Sequence, residues 1–319
     1  MKKGLILVIL LFQVGLAQGV NNSALLNFKD NVSVTVTGNY THNDVAQINL
    51  EAGTVLNIEG SITDNGGSVS GDGEIYLNGV DVYGCTDPFA INYNSEAYWN
   101  DGSCYHDVLT DIDGNEYQAV QIGEQLWMKE NLKVNHYRNG DELPDITDGG
   151  DWSNLSTGAY CNYNNNDSMA ETYGHLYNWH AVNDSRNIAP DGWHVPSDEE
   201  FMELEMYLNM SESEANSTGW RGTNEGSKLA GNAGLWDNGD LENNSEFGTS
   251  GFSAFPAGYR YYYDGSYYGM GNFGYFWSSS ELYSFYAWSR LLSYSNSDVS
   301  RNLSLSYKLF GFSVRCLKD

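Results

Sequence analysis

The chain has 319 residues and a formal net charge of −27 at pH 7, from 15 lysines and arginines against 42 aspartates and glutamates. This acidic balance repels phosphate backbones and anionic lipid, which argues against nucleic acid or a membrane surface as a partner. The length allows more than one domain, and the abundance of glycine (35) and tyrosine (24) is typical of exported β-containing proteins rather than helical cytosolic enzymes.

Residues 1–17 predict a cleaved secretory signal. Lys2 and Lys3 supply a positive start, and the apolar stretch that follows, residues 4–12, is too short to span a bilayer comfortably. A small residue, Ala17, suits the cleavage position. We therefore expect an exported protein that is secreted, periplasmic or on the outer cell surface, without membrane insertion after cleavage. An uncleaved membrane anchor is the alternative.

Residues 18–83 show the alternation of β-strands. Apolar and polar residues alternate in four runs, which Gly, Asn and Asp residues separate. The runs are residues 32–36, 47–50, 55–58 and 74–77. Period-two runs between turn residues predict a β-rich region. The pattern leaves a short β-solenoid and a small sandwich open, and it predicts no functional site here.

Residues 84–104 form a short module bounded by Cys85 and Cys104. The other two cysteines are Cys161 and Cys316, and an even number in an exported chain predicts disulfides in one of three connectivities. We favour Cys85–Cys104 and Cys161–Cys316, because each pair then stays within one predicted domain. A metal site is the alternative, but no C-x-x-C spacing supports it.

The same module carries side-chain oxygens that could bind Ca²⁺. They belong to Asp87, Asn92, Asn94, Asn100 and Asp101. Asn and Asp also hold turns through bonds to the backbone, and the spacing of a Ca²⁺-binding EF-hand loop is not met, so the turn role is the favoured interpretation. We therefore predict no cofactor, with Ca²⁺ as the open alternative.

Residues 105–319 predict a mixed α+β domain. It opens with a β-hairpin that contains Asp113-Gly114 at its turn. After residue 252 the pattern is one of short strands and long loops. Helices embedded among short strands are typical of the α+β class.

Two helices are predicted in this domain. The first covers residues 173–182, whose apolar members fall on one helical face. The second starts at Ser197, which makes a capping box with Glu200. Its apolar stripe begins with Phe201 and Leu204.

Blocks of glycine and aromatic residues run through this domain. They are residues 192–198, 251–260, 276–280 and 311–319. In composition and order these blocks resemble the Fibrobacter succinogenes major paralogous domain, and the resemblance covers residues 105–319. It implies a C-type-lectin-like fold, in the branch shared with formylglycine-generating (sulfatase-modifying) enzymes. We therefore expect short twisted strands with two helices and long loops, preceded by the small all-β region.

The resemblance does not extend to the chemistry of those enzymes. They use a thiol pair just before the final Gly-Phe block, and this chain has no cysteine between Trp288 and Leu309. No hydrolase elbow, phosphate-binding loop or zinc motif appears, and the six histidines are dispersed. We predict no enzymatic activity and no catalytic residue, and a structural role for the histidines.

The predicted ligand site is the tyrosine-rich stretch of residues 259–296. In lectin-like folds the long loops before the last strands form the ligand face, and aromatic rings suit the apolar faces of sugars. The candidate residues are Tyr261, Tyr262, Tyr263, Asp264, Tyr267, Tyr268, Tyr286, Tyr294 and Asn296. Packing of these rings in the core is the alternative.

The sequence therefore predicts an exported binding or adhesion protein that displays tyrosines to an extracellular glycan or protein. A passive structural module of the cell surface is the second hypothesis. An enzyme that diverged from the formylglycine-generating fold is the third, and the oligomeric state is not predicted.

Overall fold

The computed structural model describes residues 20–22, 25–28, 33–37, 40–42, 47–59, 61–64, 68–71, 73–88, 90, 92–100, 104, 107–301 and 306–319. The chain divides into two compact units, Met1–Tyr105 and His106–Asp319. The predicted signal lies outside the described residues. Among those that are described, no helix is long and apolar enough to cross a membrane.

The first unit is a three-faced parallel β-solenoid. Its strands are β1 (Val20–Asn22), β2 (Leu25–Phe28), β3 (Ser33–Thr37), β4 (Tyr40–His42), β5 (Gln47–Leu50), β6 (Val55–Glu59), β7 (Ile62–Asp64), β8 (Ser68–Gly71) and β9 (Glu74–Leu77). Every third strand pairs in parallel, in the orders β1-β4-β7, β2-β5-β8 and β3-β6-β9. Three successive strands therefore make one rung, which decides for the solenoid over the sandwich.

Alternation along the strands directs apolar side chains into the solenoid. Leu56 and Ile58 of β6 are buried, and Asn57 between them is not. Leu56 lies in register with buried Ile75 of β9, and Ile58 with buried Val36 of β3. Side chains that stack in register from rung to rung build one continuous apolar core.

Three short strands and a disulfide follow the solenoid. The strands are β10 (Val80–Asp81), β11 (Tyr83–Gly84) and β12 (Trp99–Asn100). β10 pairs antiparallel with β9, and β11 pairs in parallel with β12. Cys85 and Cys104 form a disulfide with 4.8 Å between their Cα atoms, which confirms the first predicted pair.

One of the suggested Ca²⁺ ligands holds a turn. Asn94 Oδ1 accepts a hydrogen bond from Glu96 N at 3.0 Å, and Asn94 Nδ2 donates to Asp81 O at 3.3 Å. Asp101 lies outside the described residues. Among the residues that the structure describes, no group of three or more His, Cys, Asp and Glu side chains is arranged to hold a metal ion.

The second unit has the predicted α+β class. Its strands are β13 (Val108–Thr110), β14 (Glu116–Ile122), β15 (Gln125–Met128), β16 (Tyr160–Cys161), β17 (Leu176–Tyr177), β18 (Trp193–His194), β19 (Gly219–Arg221), β20 (Ala257–Arg260), β21 (Tyr267–Met270), β22 (Phe273–Tyr283), β23 (Tyr286–Ser293), β24 (Val299–Arg301) and β25 (Leu317–Lys318). One sheet has the order β13-β14-β15-β25-β18, and a second has the order β19-β24-β23-β22-β20-β21. β16 and β17 form a separate pair.

The helices of this unit are short, and they are more numerous than the two predicted. They are α1 (Gly149–Ser153), α2 (Ala170–Tyr173), α3 (Trp179–Val182), α4 (Asp198–Tyr207), α5 (Glu212–Ala215) and α6 (Glu225–Leu229), with 3-10 turns at Tyr163–Asn165, Asp167–Met169 and Ala233–Leu235. α4 confirms the second predicted helix. Ser197 Oγ accepts from Glu200 N at 3.2 Å, and Glu200 Oε2 accepts from Ser197 N at 2.7 Å, which completes the capping box.

The helix predicted over residues 173–182 is wrong. The segment instead contains β17 and the single turn of α3. Gly174 has a φ of +70°, which ends α2, and the backbone of Tyr177 exchanges two hydrogen bonds with Phe312, at 2.8 and 3.0 Å. Helical spacing of apolar residues was misleading here because these side chains are buried on more than one side.

The predicted hairpin at the start of the unit is confirmed, with a longer turn than a two-residue Asp-Gly loop. β13 and β14 pair antiparallel, and Thr110 is opposite Glu116. The buried carboxylate of Asp111 organises the turn. Its Oδ1 accepts hydrogen bonds from Asp113 N and Asn115 N, both at 2.9 Å.

The second predicted disulfide is wrong. Cys161 and Cys316 are buried free thiols that belong to different apolar clusters. Cys161 packs with Trp152 and Leu176, whereas Cys316 packs in the main core with Met128. Burial raises the pKa of the Cys161 thiol to about 11, so this sulfur behaves as a small apolar group.

Candidate functional site

The predicted tyrosines begin on the hairpin of β20 and β21. Its loop, residues 261–266, is closed by hydrogen bonds from Tyr261 N to Ser266 O at 2.7 Å and from Gly265 N to Tyr261 O at 3.0 Å. Asp264 Oδ1 accepts a hydrogen bond from Ser266 N at 2.9 Å. Asp264, a predicted ligand residue, therefore shapes the loop that presents the tyrosines.

A buried arginine anchors this loop. Arg260 Nε donates to Gly265 O at 3.0 Å, and its Nη2 donates to Thr147 O at 3.0 Å and to Asp148 O at 3.1 Å. The guanidinium lies over the Trp152 ring, 4.4 Å from its centroid. Bonds from one planar group to two chain segments fix the position of the hairpin.

Five tyrosine side chains form one continuous surface, which we call the tyrosine row. In spatial order its members are Tyr286, Tyr307, Tyr262, Tyr261 and Tyr268. The consecutive ring centroids are 4.5, 4.1, 4.8 and 6.1 Å apart. The planes of the second and third rings differ by only 20°, so these two rings stack. Segments that are far apart in the chain thus contribute to a single aromatic surface.

The tyrosine row rests on the main hydrophobic core. Tyr261, Tyr262 and Tyr307 are half-buried and pack against it. The buried ring of Phe310 lies 5.6 Å from that of Tyr261 and 5.0 Å from that of Tyr262. These tyrosines therefore pack partly in the core, in line with the alternative interpretation, and this packing holds the row in place.

Other rings in or next to the row are strongly exposed. Tyr263 is 74 % exposed, Phe285 72 %, Tyr283 65 % and Tyr268 47 %. The Tyr263 ring lies 6.4 Å from that of Tyr262. Exposed aromatic surface next to an ordered patch is a mark of a binding site.

The phenol groups of Tyr262 and Tyr286 stay protonated at neutral pH. Partial burial, together with the neighbouring hydroxyls of Tyr261 and Tyr307, raises the pKa of Tyr262 to about 12. The Tyr307 hydroxyl raises the pKa of Tyr286. A protonated phenol both donates and accepts a hydrogen bond, so the row presents hydroxyls of the kind that pair with sugar hydroxyls.

The sequence prediction missed Tyr307 and Phe285. The β22–β23 hairpin brings Tyr307 to the row, because Tyr286 bridges to Tyr307, and it places the backbone of Phe285 beside the same segment, because Lys308 N donates to Phe285 O at 3.0 Å. Tyr307 lies outside the stretch 259–296, so only the strand pairing reveals it. An aromatic residue at the turn of a hairpin was the available signal for Phe285.

Three predicted ligand residues lie neither in the row nor in the adjoining loop of residues 261–266. Tyr267 donates its hydroxyl to Asn165 Oδ1 at 2.5 Å, and burial raises its pKa. Tyr294 and Asn296 lie in the connection between β23 and β24. Tyr294 is held there by a bond from its N to Asn272 O at 2.9 Å. These residues were grouped with the others by nearness in sequence, which does not place side chains on one face, and their part in binding stays a prediction.

The family model described as the Fibrobacter succinogenes major domain matches residues 120–318, which include every member of the tyrosine row. The chain belongs to this family. No curated protein and no solved structure matches the chain, so the C-type-lectin-like fold stays a prediction.

The Fibrobacter succinogenes major domain contains a buried ion-pair cluster. Arg290 bonds Glu205 at 2.7 Å and Asp198 at 2.6 Å, Arg221 bonds Glu205 at 2.7 Å, and Arg301 Nε bonds Asp198 at 3.1 Å. Burial acts to raise the pKa of Asp198, but Arg301 and Arg290 keep this pKa below its ordinary value. The cluster ties α4 to β19, β23 and β24.

Arg315, in the last family block, also has a structural role. Its Nε donates to Asn131 Oδ1 at 2.7 Å, and its Nη atoms donate to Phe252 O at 2.5 Å and to Ser253 O at 2.7 Å. Burial lowers its pKa to about 9. The arginines of the family blocks, Arg260 and Arg315, are thus bonded within the domain.

Two histidines of the domain make structural contacts, as the sequence predicted. His175 is buried, its Nδ1 lies 2.6 Å from Asn162 Oδ1, and burial lowers its pKa to about 4. His194 lies between two carboxylates, with Nε2 2.9 Å from Glu200 and Nδ1 2.7 Å from Asp319. The bonds to Glu200 and Asp319 raise the pKa of His194, and the bond to Glu200 has the larger effect.

Proposed function

We propose that this protein is an exported binding protein, whose Fibrobacter succinogenes major domain displays the tyrosine row to an extracellular glycan or protein. The observation that supports this most is the set of exposed rings next to a row that the core holds in place. A surface that is already ordered loses little conformational entropy when it binds a ligand. We propose binding rather than catalysis because the supporting feature is an exposed surface.

The rings have different roles in this proposal. The half-buried rings of Tyr261, Tyr262 and Tyr307 support the surface, since they pack on the core and on one another. The exposed rings of Tyr263 and Phe285 contact the ligand, since their faces are open. Tyrosine is enriched in binding surfaces because it combines a large apolar area with a hydroxyl and few rotatable bonds.

The solenoid is a spacer in this proposal, and we assign no ligand to it. Its stability comes from the parallel pairing of successive rungs and from an apolar interior. A solenoid gains length by adding rungs without changing its core, so such a unit suits a stalk that carries a binding domain.

A glycan array, followed by titration of any hits, tests the proposed site. The full chain is compared with the double variant Tyr263→Ala/Phe285→Ala, with and without Ca²⁺. We expect the double variant to bind at least about tenfold more weakly, the loss that follows from removing about 1.4 kcal/mol of contact free energy. Tyr207→Ala is the matched control, because Tyr207 is 62 % exposed but lies on α4.

Equal binding by the wild type and the double variant would mean that the exposed rings beside the tyrosine row do not contact the ligand, and it would overturn the proposed site. So would an equal loss in Tyr207→Ala, since that loss would report a general effect of removing an exposed ring. If the ligand proved to be a protein and not a glycan, the proposed site would stand and only the class of ligand would change.

A further inference from the structure

The domain bonds all of its arginines to its own oxygens. The seven arginines of the chain and their partners are Arg138 (Ala189, Pro190 and Trp193 carbonyls), Arg186 (Asp141, Asp184), Arg221 (Glu205), Arg260 (Ile146, Thr147, Asp148 and Gly265 carbonyls), Arg290 (Asp198, Glu205), Arg301 (Asp198) and Arg315 (Asn131, Phe252, Ser253). Arginine is the residue that most often recognises carboxylate, sulfate and phosphate. In this domain the arginine side chains instead bond oxygen atoms of the protein itself.

The lysine next to the tyrosine row is also engaged. Lys308 follows Tyr307, pairs with Glu281 and lies over the Trp179 ring, with Nζ 4.5 Å from the centroid. Its side chain is only 11 % exposed. The cation nearest to the row in sequence is therefore neutralised and mostly covered.

The other four lysines of the second unit are either bonded within the protein or placed at the other sheet. Lys228 is buried and donates to Leu208 O at 2.6 Å, and Lys133 pairs with Glu171. Lys129 directly follows β15, and Lys318 lies in β25, so the first adjoins and the second belongs to the five-stranded sheet, which contains no member of the row. Among the described residues, the row's own elements thus offer a ligand exposed rings, phenols and carboxylates.

Building on the proposed function, we infer that the tyrosine row binds an uncharged glycan and discriminates against chains that carry carboxylate or sulfate groups. Uncharged sugars need only apolar faces and hydroxyl partners, which the exposed rings and the phenols supply. A charged glycan would bring anions towards an acidic domain without gaining an ion pair, because the cations are already used. Uncompensated like charges at an interface oppose binding.

Matched pairs of polymers test this inference on the full chain. The probes are fully methyl-esterified and de-esterified polygalacturonate, laminarin and sulfated laminarin, and dextran and dextran sulfate. We expect at least one uncharged polymer to bind, and its charged counterpart to bind at least about tenfold more weakly at low salt. The difference should narrow in about 0.5 M salt, because salt screens repulsion between exposed charges.

Two carboxylate variants sharpen the test. Glu281→Gln removes the partner of Lys308, so it should strengthen binding of the charged polymer and leave the uncharged one unchanged. Glu171→Gln is the control, because it removes an equally negative side chain, 81 % exposed, that pairs with Lys133 on another part of the domain. We expect it to change neither affinity.

The outcomes separate the two proposals. A charged polymer that binds as tightly as its uncharged partner, with binding lost in Tyr263→Ala, would overturn the charge preference and keep the site. Binding of a protein alone, again lost in Tyr263→Ala, would overturn the glycan class and keep the site. Polymer binding that does not depend on Tyr263, or no binding of any ligand, would overturn both.

Discussion

The two units of the protein bury different kinds of side chain. The interior of the solenoid is apolar, as Leu56, Ile58 and Ile75 show. Every buried charged side chain among the described residues lies in the second unit, including Asp198, Glu205 and Arg290. One unit therefore depends on repeated local stacking, whereas the other depends on bonds between distant charged groups.

This difference shows how each unit obtains a specific structure. In the solenoid, each rung needs only the next rung, so a short period-two pattern is enough. In the second unit, Arg290 of β23 must meet Asp198 and Glu205 of α4, which are 92 and 85 residues away. A buried charge without its partner is costly, so such a network disfavours alternative packings.

The largest expected effect comes from breaking the buried ion-pair cluster. Arg290→Met leaves Asp198 and Glu205 buried with one arginine fewer, and such a loss costs about 3–5 kcal/mol. Denaturant unfolding followed by tryptophan fluorescence measures this, since eight of the nine tryptophans lie in the second unit. Lys133→Met removes a cation from a pair with an exposed partner and should cost at most about 1 kcal/mol. Similar losses in both variants would contradict the assigned role of the cluster.

A core truncation in the solenoid should have the next largest effect. Ile58→Ala removes a fully buried side chain that stacks between rungs, and we expect a loss of about 2–5 kcal/mol. Hydrogen exchange of peptides from residues 47–59 and 73–83 would detect faster opening. The control Asn57→Ala changes the neighbouring outward side chain and should stay within about 0.5 kcal/mol. Unchanged exchange in Ile58→Ala would argue against the stacked interior.

A smaller, pH-dependent effect is expected at His194. Its raised pKa contributes stability that is present below the ordinary value of 6.5 and is lost as the pH rises through the raised value. The pKa of Glu200, lowered mainly by the bond to His194, contributes stability that is present above 4.5 and is lost as the pH falls through the lowered value. The contact should therefore contribute most between pH 4.5 and 6.5.

The variant His194→Gln tests this window through unfolding free energies at acidic and alkaline pH. Inside the window, we expect the unfolding free energies of wild type and variant to differ by about 0.5–1 kcal/mol, since the groups are partly exposed and screened by solvent. The difference should be smaller at alkaline pH. A constant difference across the whole pH range would mean that packing, and not the charge of His194, is responsible.

The smallest expected effect is that of Tyr263→Ala, and its comparison with Tyr262→Ala separates the contacting rings from the supporting ones. Tyr263→Ala removes a ring that is 74 % exposed and should change stability by at most about 0.5 kcal/mol. Tyr262→Ala removes a stacked, half-buried ring and should cost about 1–2 kcal/mol. Equal stability losses in the two variants would contradict the division into supporting and contacting rings.

Local patterns in the sequence predicted several elements well. The runs 47–50 and 74–77 coincide with β5 and β9, and the capping box at Ser197 marks the start of α4. Each of these signals involves residues only a few positions apart, because strand alternation and helix capping are properties of the local backbone. The Cys85–Cys104 pair was predictable for a related reason, as it closes a short module.

Predictions that needed distant partners failed. The segment 173–182 contains the strand β17 because Leu176 and Tyr177 pair with Cys161 and Tyr160 of β16, and Tyr177 also bonds Phe312. Cys161 and Cys316 stayed thiols because the fold places them in separate clusters. The candidate site was only partly predictable, since sequence proximity grouped Tyr267 with the row although its hydroxyl bonds Asn165.

The sequence by itself determined the acidic character of the protein, four strands of the first unit, the second helix, the first disulfide and the family. The tertiary structure alone decided which tyrosines form one surface, that Tyr307 completes it, and that every arginine is bonded internally. The physical reason is that backbone conformation follows from neighbouring residues. The surroundings of a side chain follow from segments that meet only when the chain has folded.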